Sequence, residues 1–175
     1  MQEHTQCLRF EQLILPHLDA AYNLARWLTQ NDQDAQDMVQ EAYLRAFRSF
    51  QSFRGGDSRV WLLTIVRNTC YTWLHQQRTD KSTIPFQEEF HDVESETLNP
   101  EVLYLDRINQ QSLRDALKAL PVEFREVMIL RELEEFSYKE ISAITYVPLG
   151  TVMSRLARGR KWLQRYLTDQ MNEEG

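Results

Sequence analysis

Apolar residues recur at three- and four-residue steps along most of this chain, which is the spacing that buries one face of an α-helix. In the N-terminal half the pattern predicts helices over residues 10–29, 31–50 and 57–77. Pro16 is expected to start or kink the first of them, because proline interrupts helical hydrogen bonding. The later two begin at residues suited to an N-cap: Asn31 or Asp32, and Asp57 or Ser58.

In the C-terminal half, helices are predicted over residues 99–120 and 121–134, each with a proline at its start. Composition agrees, because 5 glycines and 5 prolines in 175 residues leave little turn chemistry for a many-stranded sheet. We therefore predict an all-α fold. It consists of two small helical domains, residues 8–79 and 99–170, joined by a flexible linker over residues 80–98.

Charge is segregated along the chain. The net charge is −6, yet residues 51–82 hold five basic and two acidic side chains, and residues 148–175 hold five and three. Two basic islands of this kind are the electrostatic footprint of a nucleic-acid-binding protein. The predicted linker is acidic, and it is either a solvated tether or a strip that competes with DNA for a basic surface.

A short helix, a tight turn and a longer helix are predicted after residue 136. Ser137 and Glu140 form a capping box, residues 145–147 make the turn, and Pro148 opens the second helix. This order defines a helix-turn-helix, whose second helix is able to read DNA through arginine, serine and threonine. A plain helical hairpin with a solvated basic face is the alternative. The polar outer face of the second helix comprises Thr151, Ser154, Arg155, Arg158, Arg160 and Lys161.

Two further polar faces accompany the N-terminal helices. The helix over residues 57–77 interleaves basic, amide and aromatic side chains with its apolar stripe, a mixture typical of single-stranded nucleic-acid binding. The helix over residues 31–50 carries acidic and mixed residues opposite its stripe, and a solvated surface is the plain interpretation of that face. Its members include Asp37, Gln40, Glu41, Leu44 and Arg48.

The sequence offers no support for catalysis, and we predict that the chain is not an enzyme. Cys7 and Cys70 form no Cys-x-x-Cys pair, and the four histidines have no metal-ligand spacing with them. A thiol or metal hydrolase is therefore disfavoured, and neither metal nor cofactor is expected. No signal peptide or membrane-spanning run is recognised, so a cytoplasmic location is predicted.

Several C-terminal motifs resemble region 4 of the extracytoplasmic-function (ECF) RNA polymerase sigma factors. They are Leu117–Pro121, Phe124–Val127, Ser137–Ile141 and Val147–Arg160. The N-terminal half is similar to region 2 of the same family. The matching segments there are Asp34–Phe47, Phe53–Gly56, Trp61-Leu62 and Ile65–Thr69. A regulator that binds an operator without polymerase is the remaining alternative, but no dimerisation or effector domain is recognised.

The resemblance implies a division of roles among the polar surfaces. It implies that Asp37, Gln40, Glu41, Leu44 and Arg48 contact core RNA polymerase. The recognition-helix residues given above would read the duplex of the minus-thirty-five element. An anti-sigma factor is also expected as a partner. The melted strand of the minus-ten element would be held by the loop from Phe53 to Asp57 and the helix that follows, through Arg54, Asp57, Ser58, Arg59, Arg67 and Asn68.

The chain departs from the family pattern at three places. Tyr146 stands in the turn where a glycine is common, and Met153 stands where a basic residue is common. Leu63-Thr64 replaces a frequent aromatic–basic pair, which argues against DNA contact from that turn.

Overall fold

The computed structural model describes residues 1–80 and 110–174. These residues hold no β-strand, and the all-α prediction is confirmed. Short 3₁₀ turns follow α1 and α3, and a π-helical turn, Ile129–Leu133, continues α6. The helices are α1 (Gln2–Ile14), α2 (Leu18–Thr29), α3 (Asp32–Ser49), α4 (Ser58–Asp80), α5 (Gln110–Ala119), α6 (Val122–Met128), α7 (Tyr138–Thr145) and α8 (Leu149–Glu174).

The described residues form two compact units. The first contains α1 to α4 together with residues 139–146, and the second contains α5, α6 and α8. The predicted linker beyond residue 80, and the predicted helix start at Asn99-Pro100, lie outside the described residues. The exact domain limits at residues 8, 79, 99 and 170 stay predictions.

In the first unit α2, α3 and α4 pack against one another. Pro16 lies in the 3₁₀ turn between α1 and α2, so the expected interruption is confirmed. Asn31 caps α3, because its side chain accepts a hydrogen bond from the backbone N–H of Asp34 at 3.0 Å. Small residues on α3 allow the helices to approach closely. The shared core includes Leu24, Leu28, Ala35, Ala42, Ala46, Leu62 and Val66.

An aromatic cluster fixes α1 to the end of α3. The ring of Phe10 meets Tyr43, Phe47 and Phe50 edge-on, with centroids 5.3–6.3 Å apart. α1 begins at Gln2, whereas the sequence predicts a start near Phe10. The earlier start is not predicted because the polar residues before Phe10 show no apolar periodicity. Helical spacing places Phe47 in the core stripe, but the side chain is 48% exposed because α1 covers only part of its ring.

In the second unit α8 crosses α6 at a glycine. Gly159 is buried, and a β-carbon there would lie 3.3 Å from Cγ of Met128 and 3.8 Å from Cβ of Phe124. The absence of a side chain therefore lets the two helices come together. Val152, Leu156 and Leu163 complete the buried side of α8, as the periodicity predicts. Trp162, which the sequence also predicts to lie in the core, is half-buried and stacks on Tyr166 with ring centroids 5.1 Å apart.

A buried arginine joins α5 to α6. Arg125 is only 5% exposed, and its Nη1 donates to the carbonyl oxygens of Leu120 at 2.7 Å and Lys118 at 3.2 Å. Carbonyls at the end of a helix have no partner within that helix. Arg125 satisfies two of them and fixes the direction in which α6 leaves α5.

Candidate nucleic-acid interface

The outer face of α8 gathers five of the six residues predicted to read duplex DNA. At 100° per residue, Thr151, Ser154, Arg155, Arg158 and Lys161 fall within about 120° of the helix circumference. This face lies away from the buried side formed by Val152, Leu156 and Leu163. Ser154 is exposed and donates to the carbonyl of Thr151 at 3.1 Å, while both arginines are half-buried. The face therefore presents hydroxyl and guanidinium groups along one side of the second helix.

Arg160 is set apart from these five residues. It lies about 160° around the helix from Arg158, and its Nη2 is 2.8 Å from Oε1 of Glu132. Burial acts to lower the pKa of Arg160, but hydrogen bonds to Glu132 and Tyr138 outweigh it and raise the pKa. The charged Arg160 is therefore held against the π-helical turn. This arrangement favours a role in positioning α8.

We predict that Arg160→Met and Glu132→Gln weaken promoter binding to a similar extent, roughly two- to fivefold, the range expected for losing a partly exposed ion pair. The dependence of affinity on salt should keep its slope, because every phosphate contact remains in place. Binding measured across a salt series tests this. A slope that falls by about one in Arg160→Met, with Glu132→Gln silent, would instead place Arg160 on the DNA.

The turn before α8 is closed by a strained residue. Tyr146 has a left-handed backbone, φ 58°, and its N–H donates to the carbonyl of Ser142 at 3.0 Å. The carbonyl of Pro148 then accepts from Thr151 and Val152, which starts α8. A left-handed conformation costs a residue with a β-carbon about 1–2 kcal/mol. The position where the family commonly has glycine is thus one where this chain carries conformational strain.

We expect Tyr146→Gly to stabilise the fold by about 0.5–1 kcal/mol, because relief of the left-handed strain exceeds the added chain entropy. The Tyr146 side chain is 71% exposed, so little packing is lost. Urea unfolding measures the effect. Ala143→Gly, an exposed position within α7, is the matched control and should cost about 1 kcal/mol. Equal destabilisation by both changes would show that Tyr146 is held by contacts rather than strained.

In the first unit, α4 presents the predicted single-strand surface. The guanidinium of Arg67 lies 3.8 Å from the ring centroid of Tyr71, and Asn68 occupies the same outer side. Thr72 is exposed and donates to the carbonyl of Asn68 at 2.9 Å. Leu63, at the turn where the sequence weakens the case for DNA contact, is fully buried. Cation, amide and aromatic ring therefore lie together on one side of α4.

The loop before α4 begins at a buried phenylalanine and continues into two exposed glycines. Phe53 is buried between Phe50 and Trp61, with ring centroids 6.0 and 5.1 Å away. Gly55 and Gly56 have φ values of 89° and 92°, which side chains rarely adopt. Arg54, between this anchor and the glycines, is exposed. The loop thus leaves the Arg54 side chain exposed to solvent. The space around both glycines is open.

The remaining predicted residues of this surface have structural partners. Asp57 caps α4, accepting from the N–H groups of Arg59 at 3.0 Å and Val60 at 3.2 Å. Ser58 Oγ lies 3.0 Å from Nε2 of His17, a residue that sequence reasoning did not single out. Arg59 lies about 180° around α4 from Asn68. Arg59 is therefore opposite Asn68, and it lies about 80° around the helix from Arg67, two turns earlier along α4.

We predict a pH-dependent stability that originates at His17. Burial, followed by the nearby charge of Arg59, lowers the pKa of His17 from its ordinary value of 6.5, and Asp57 only partly opposes this. Unfolded chains then take up the proton more readily, so stability is present above about pH 6.5 and is lost as pH falls through the lowered pKa. Urea midpoints from roughly pH 7.5 to 5.5 should decline less in His17→Gln than in the unchanged chain. The exposed His4→Gln is the control, and an equal flattening there would contradict this origin.

The polar face of α3 forms a separate surface. Asp37, Gln40, Glu41, Leu44 and Arg48 fall within about 100° of the helix circumference, and Leu44 is 53% exposed. Gln33 donates to Asp37 at 3.1 Å and Arg45 donates to Glu41 at 3.1 Å, both along the helix. All five predicted polymerase-contact residues, including the exposed Leu44, are thus brought together on one side of α3.

A groove of about 390 Å³ between α3 and α4 borders this face. Asp37 and Glu41 line one side, while Trp73 and Gln76 line the other. The helical pattern places Trp73 in the core, yet this residue is half-buried and forms a wall of the groove. Helical spacing alone does not distinguish an apolar residue at the core from one at the edge of a groove.

The described residues are helical and combine a helix-turn-helix with a separate polar and aromatic helix face, which are the features of the DNA-binding class of proteins. Residues 13–79 match the family model described as Sigma-70 region 2, and residues 110–163 match Sigma-70, region 4. The chain is 38% identical over 135 residues to the ECF RNA polymerase sigma-E factor of Escherichia coli K12, covering 73% of this chain and 71% of that protein. The chain belongs to the ECF RNA polymerase sigma factors.

Further relatives agree. The ECF RNA polymerase sigma factor SigE of Mycolicibacterium smegmatis is 38% identical over 165 residues, and the chain spans 63% of its length. That alignment covers 94% of this chain. The sigma factor RpoE of Bartonella quintana, solved with the anti-sigma factor NepR, matches with a TM-score of 0.71 and 29% identity. The match covers 91% of this chain and 97% of RpoE. CnrH, solved with the cytosolic domain of CnrY, shows the same fold at a TM-score of 0.64 and 22% identity.

None of the helices described over residues 1–80 and 110–174 is both long and apolar enough to span a membrane.

Proposed function

We propose that this chain acts as a transcription initiation factor that binds core RNA polymerase, directs it to a promoter and helps to open the start site. The observation that carries the proposal is the separation of three polar surfaces on two matched family regions. The α3 face, the α4 face with its preceding loop, and the α8 face each combine residues that core packing does not use.

The α3 face serves core polymerase in this proposal. Its charged rim of Asp37 and Glu41 surrounds the exposed Leu44, and a mixture of this kind suits a protein–protein contact with a small apolar centre. Gln40 and Arg48 extend the same face along the helix.

In this proposal the two nucleic-acid surfaces recognise different forms of promoter DNA. The α8 face reads duplex through Thr151, Ser154, Arg155, Arg158 and Lys161, since the second helix of a helix-turn-helix enters the major groove. The α4 face and the loop at Arg54 hold the unpaired strand, through the cation of Arg67 packed on Tyr71 and the neighbouring amide of Asn68. Two weak modules on one chain gain affinity through effective concentration.

An anti-sigma factor is the proposed regulator, supported by the solved complex of Bartonella quintana RpoE with NepR. We further propose that the chain itself catalyses no bond change, requires neither metal nor cofactor, and acts in the cytoplasm with the transcription machinery. The names of the relatives, which are RNA polymerase sigma factors, support the role in transcription.

Transcription reconstituted from purified components tests the proposal. Core polymerase with the full chain should initiate at promoters selected by that holoenzyme from a random-sequence pool, and core polymerase alone should not. Binding of the selected duplex by the chain without polymerase, with no stimulation of transcription, would instead identify a regulator of the operator-binding kind.

A further inference from the structure

The beginning of α8 carries an apolar flank that the core of the second unit does not use. Leu149 is 47% exposed and Met153 is 51% exposed, while Val152 and Leu156 of the same turns are buried. Leu149 and Met153 are one turn apart and lie within about 40° of each other around the helix. Two adjacent apolar side chains thus face outward at the end of α8 that follows the turn.

Met153 lies about 100° around the helix from Ser154, a member of the surface assigned to duplex reading. Between the apolar flank and the guanidinium groups of Arg155 and Arg158 lie Gly150, Ser154 and Ala157, which are all exposed. Around its exposed surface, the helix therefore presents an apolar side, then a strip of small residues, and then a basic side. In a helix-turn-helix, the N-terminal residues of the second helix are those that contact base edges. Met153 belongs to this N-terminal part of α8, so its side chain is placed at the edge of the face that would enter the groove.

The chemical groups that bases expose in the major groove indicate which of them the apolar side would contact. Thymine presents a 5-methyl group in the major groove, whereas guanine presents two acceptors that suit arginine. The methionine side chain is unbranched and polarisable, so it adapts to a small apolar surface. We propose that Met153, flanked by Leu149, contacts the 5-methyl group of a thymine in the upstream duplex element. This inference rests on the proposed function and makes Met153 a specificity-determining residue.

Removal of single methyl groups from the DNA tests the contact. The holoenzyme containing the full chain is bound to a duplex promoter that it selected from a random pool, with each upstream thymine replaced in turn by deoxyuridine. At one position the replacement should weaken binding about fourfold, which corresponds to burying one methyl group, ~0.8 kcal/mol. Met153→Ala should bind the thymine duplex about fourfold more weakly and should not respond to the methyl group at that position.

Matched variants separate the possible outcomes. Met153→Leu should keep the response to the methyl group, because the two side chains have similar volumes, and Met171→Ala, exposed near the end of α8, should behave as the unchanged chain. The inference is overturned if the selected element has no invariant thymine, if Met153→Ala keeps the methyl response, or if Met153→Ala impairs assembly with polymerase instead. Arg155→Ala distinguishes the levels of failure. If it alters base preference while methyl removal is silent, only the Met153 contact fails. If both are silent, the duplex-reading role of α8 fails.

Discussion

Alanine at Arg155 or Arg158 is expected to weaken promoter binding by the holoenzyme roughly 5- to 150-fold, which corresponds to about 1–3 kcal/mol for an arginine that reads a base edge. The two side chains lie three residues apart on the outer face of α8, so in the proposed role both would enter the groove together. A base contact should also relax preference at one upstream position. A phosphate contact should instead lower affinity uniformly and reduce the salt slope by about one.

Arg67→Ala and Arg54→Ala provide the complementary half of this test. They should leave upstream-duplex binding unchanged and reduce open-complex formation, measured by the reactivity of unpaired thymines, because their surface belongs to the other unit. Arg114→Ala on α5 is a matched control for loss of an exposed arginine. Intact upstream binding in both α8 variants, with its loss in Arg67→Ala, would show that the roles are reversed.

Replacing Asp37 and Glu41 together with lysine is expected to weaken binding to core polymerase at least tenfold. Charge reversal at the rim of the α3 face places like charges where opposite charges are proposed to meet. Within the chain, the change removes the exposed pairs with Gln33 and Arg45, worth about 0.2–0.5 kcal/mol each, so the helix should remain folded. Co-elution with core polymerase and helicity by circular dichroism are the two measurements.

Glu3→Lys with Glu11→Lys supplies the control for net charge. Both residues are exposed on α1, so the double variant changes the total charge by the same amount away from the α3 face. Unchanged co-elution of the Asp37 and Glu41 variant, or an equal loss in the α1 control, would remove the α3 face from the polymerase contact.

Helix starts were predictable from sequence because their signals are local. Asn31 and Asp57 make their capping hydrogen bonds as predicted, and α7 begins directly after Ser137. The beginning of α1 was missed because only Phe10 and Ile14 of that helix are buried. An amphipathic pattern needs several buried positions before it becomes visible in a sequence.

Long-range partners were not predictable. Arg160 is one of several basic residues in a short stretch, and nothing local indicates that it pairs with Glu132, 28 residues earlier. Arg125 likewise gives no sign in the sequence that it serves the carbonyls of α5. The candidate surfaces could be predicted because helical geometry fixes which residues share a face, but the side chains that tie one helix to another depend on the folded packing.

The π-helical turn, Ile129–Leu133, makes the length of this segment as important as its composition. A π-turn is a local widening of an α-helix in which the backbone bond spans five residues, as in the bond from Glu134 N–H to the carbonyl of Ile129 at 3.1 Å. Deleting one residue there would let an ordinary α-helix form without a break. If the lost residue precedes Glu132, that side chain would rotate by about 100° and Arg160 would lose its ion pair with it. Gene variants that lose a single codon before Glu132 should therefore stay helical in this turn and still lose the ion pair that fixes α8 at Arg160.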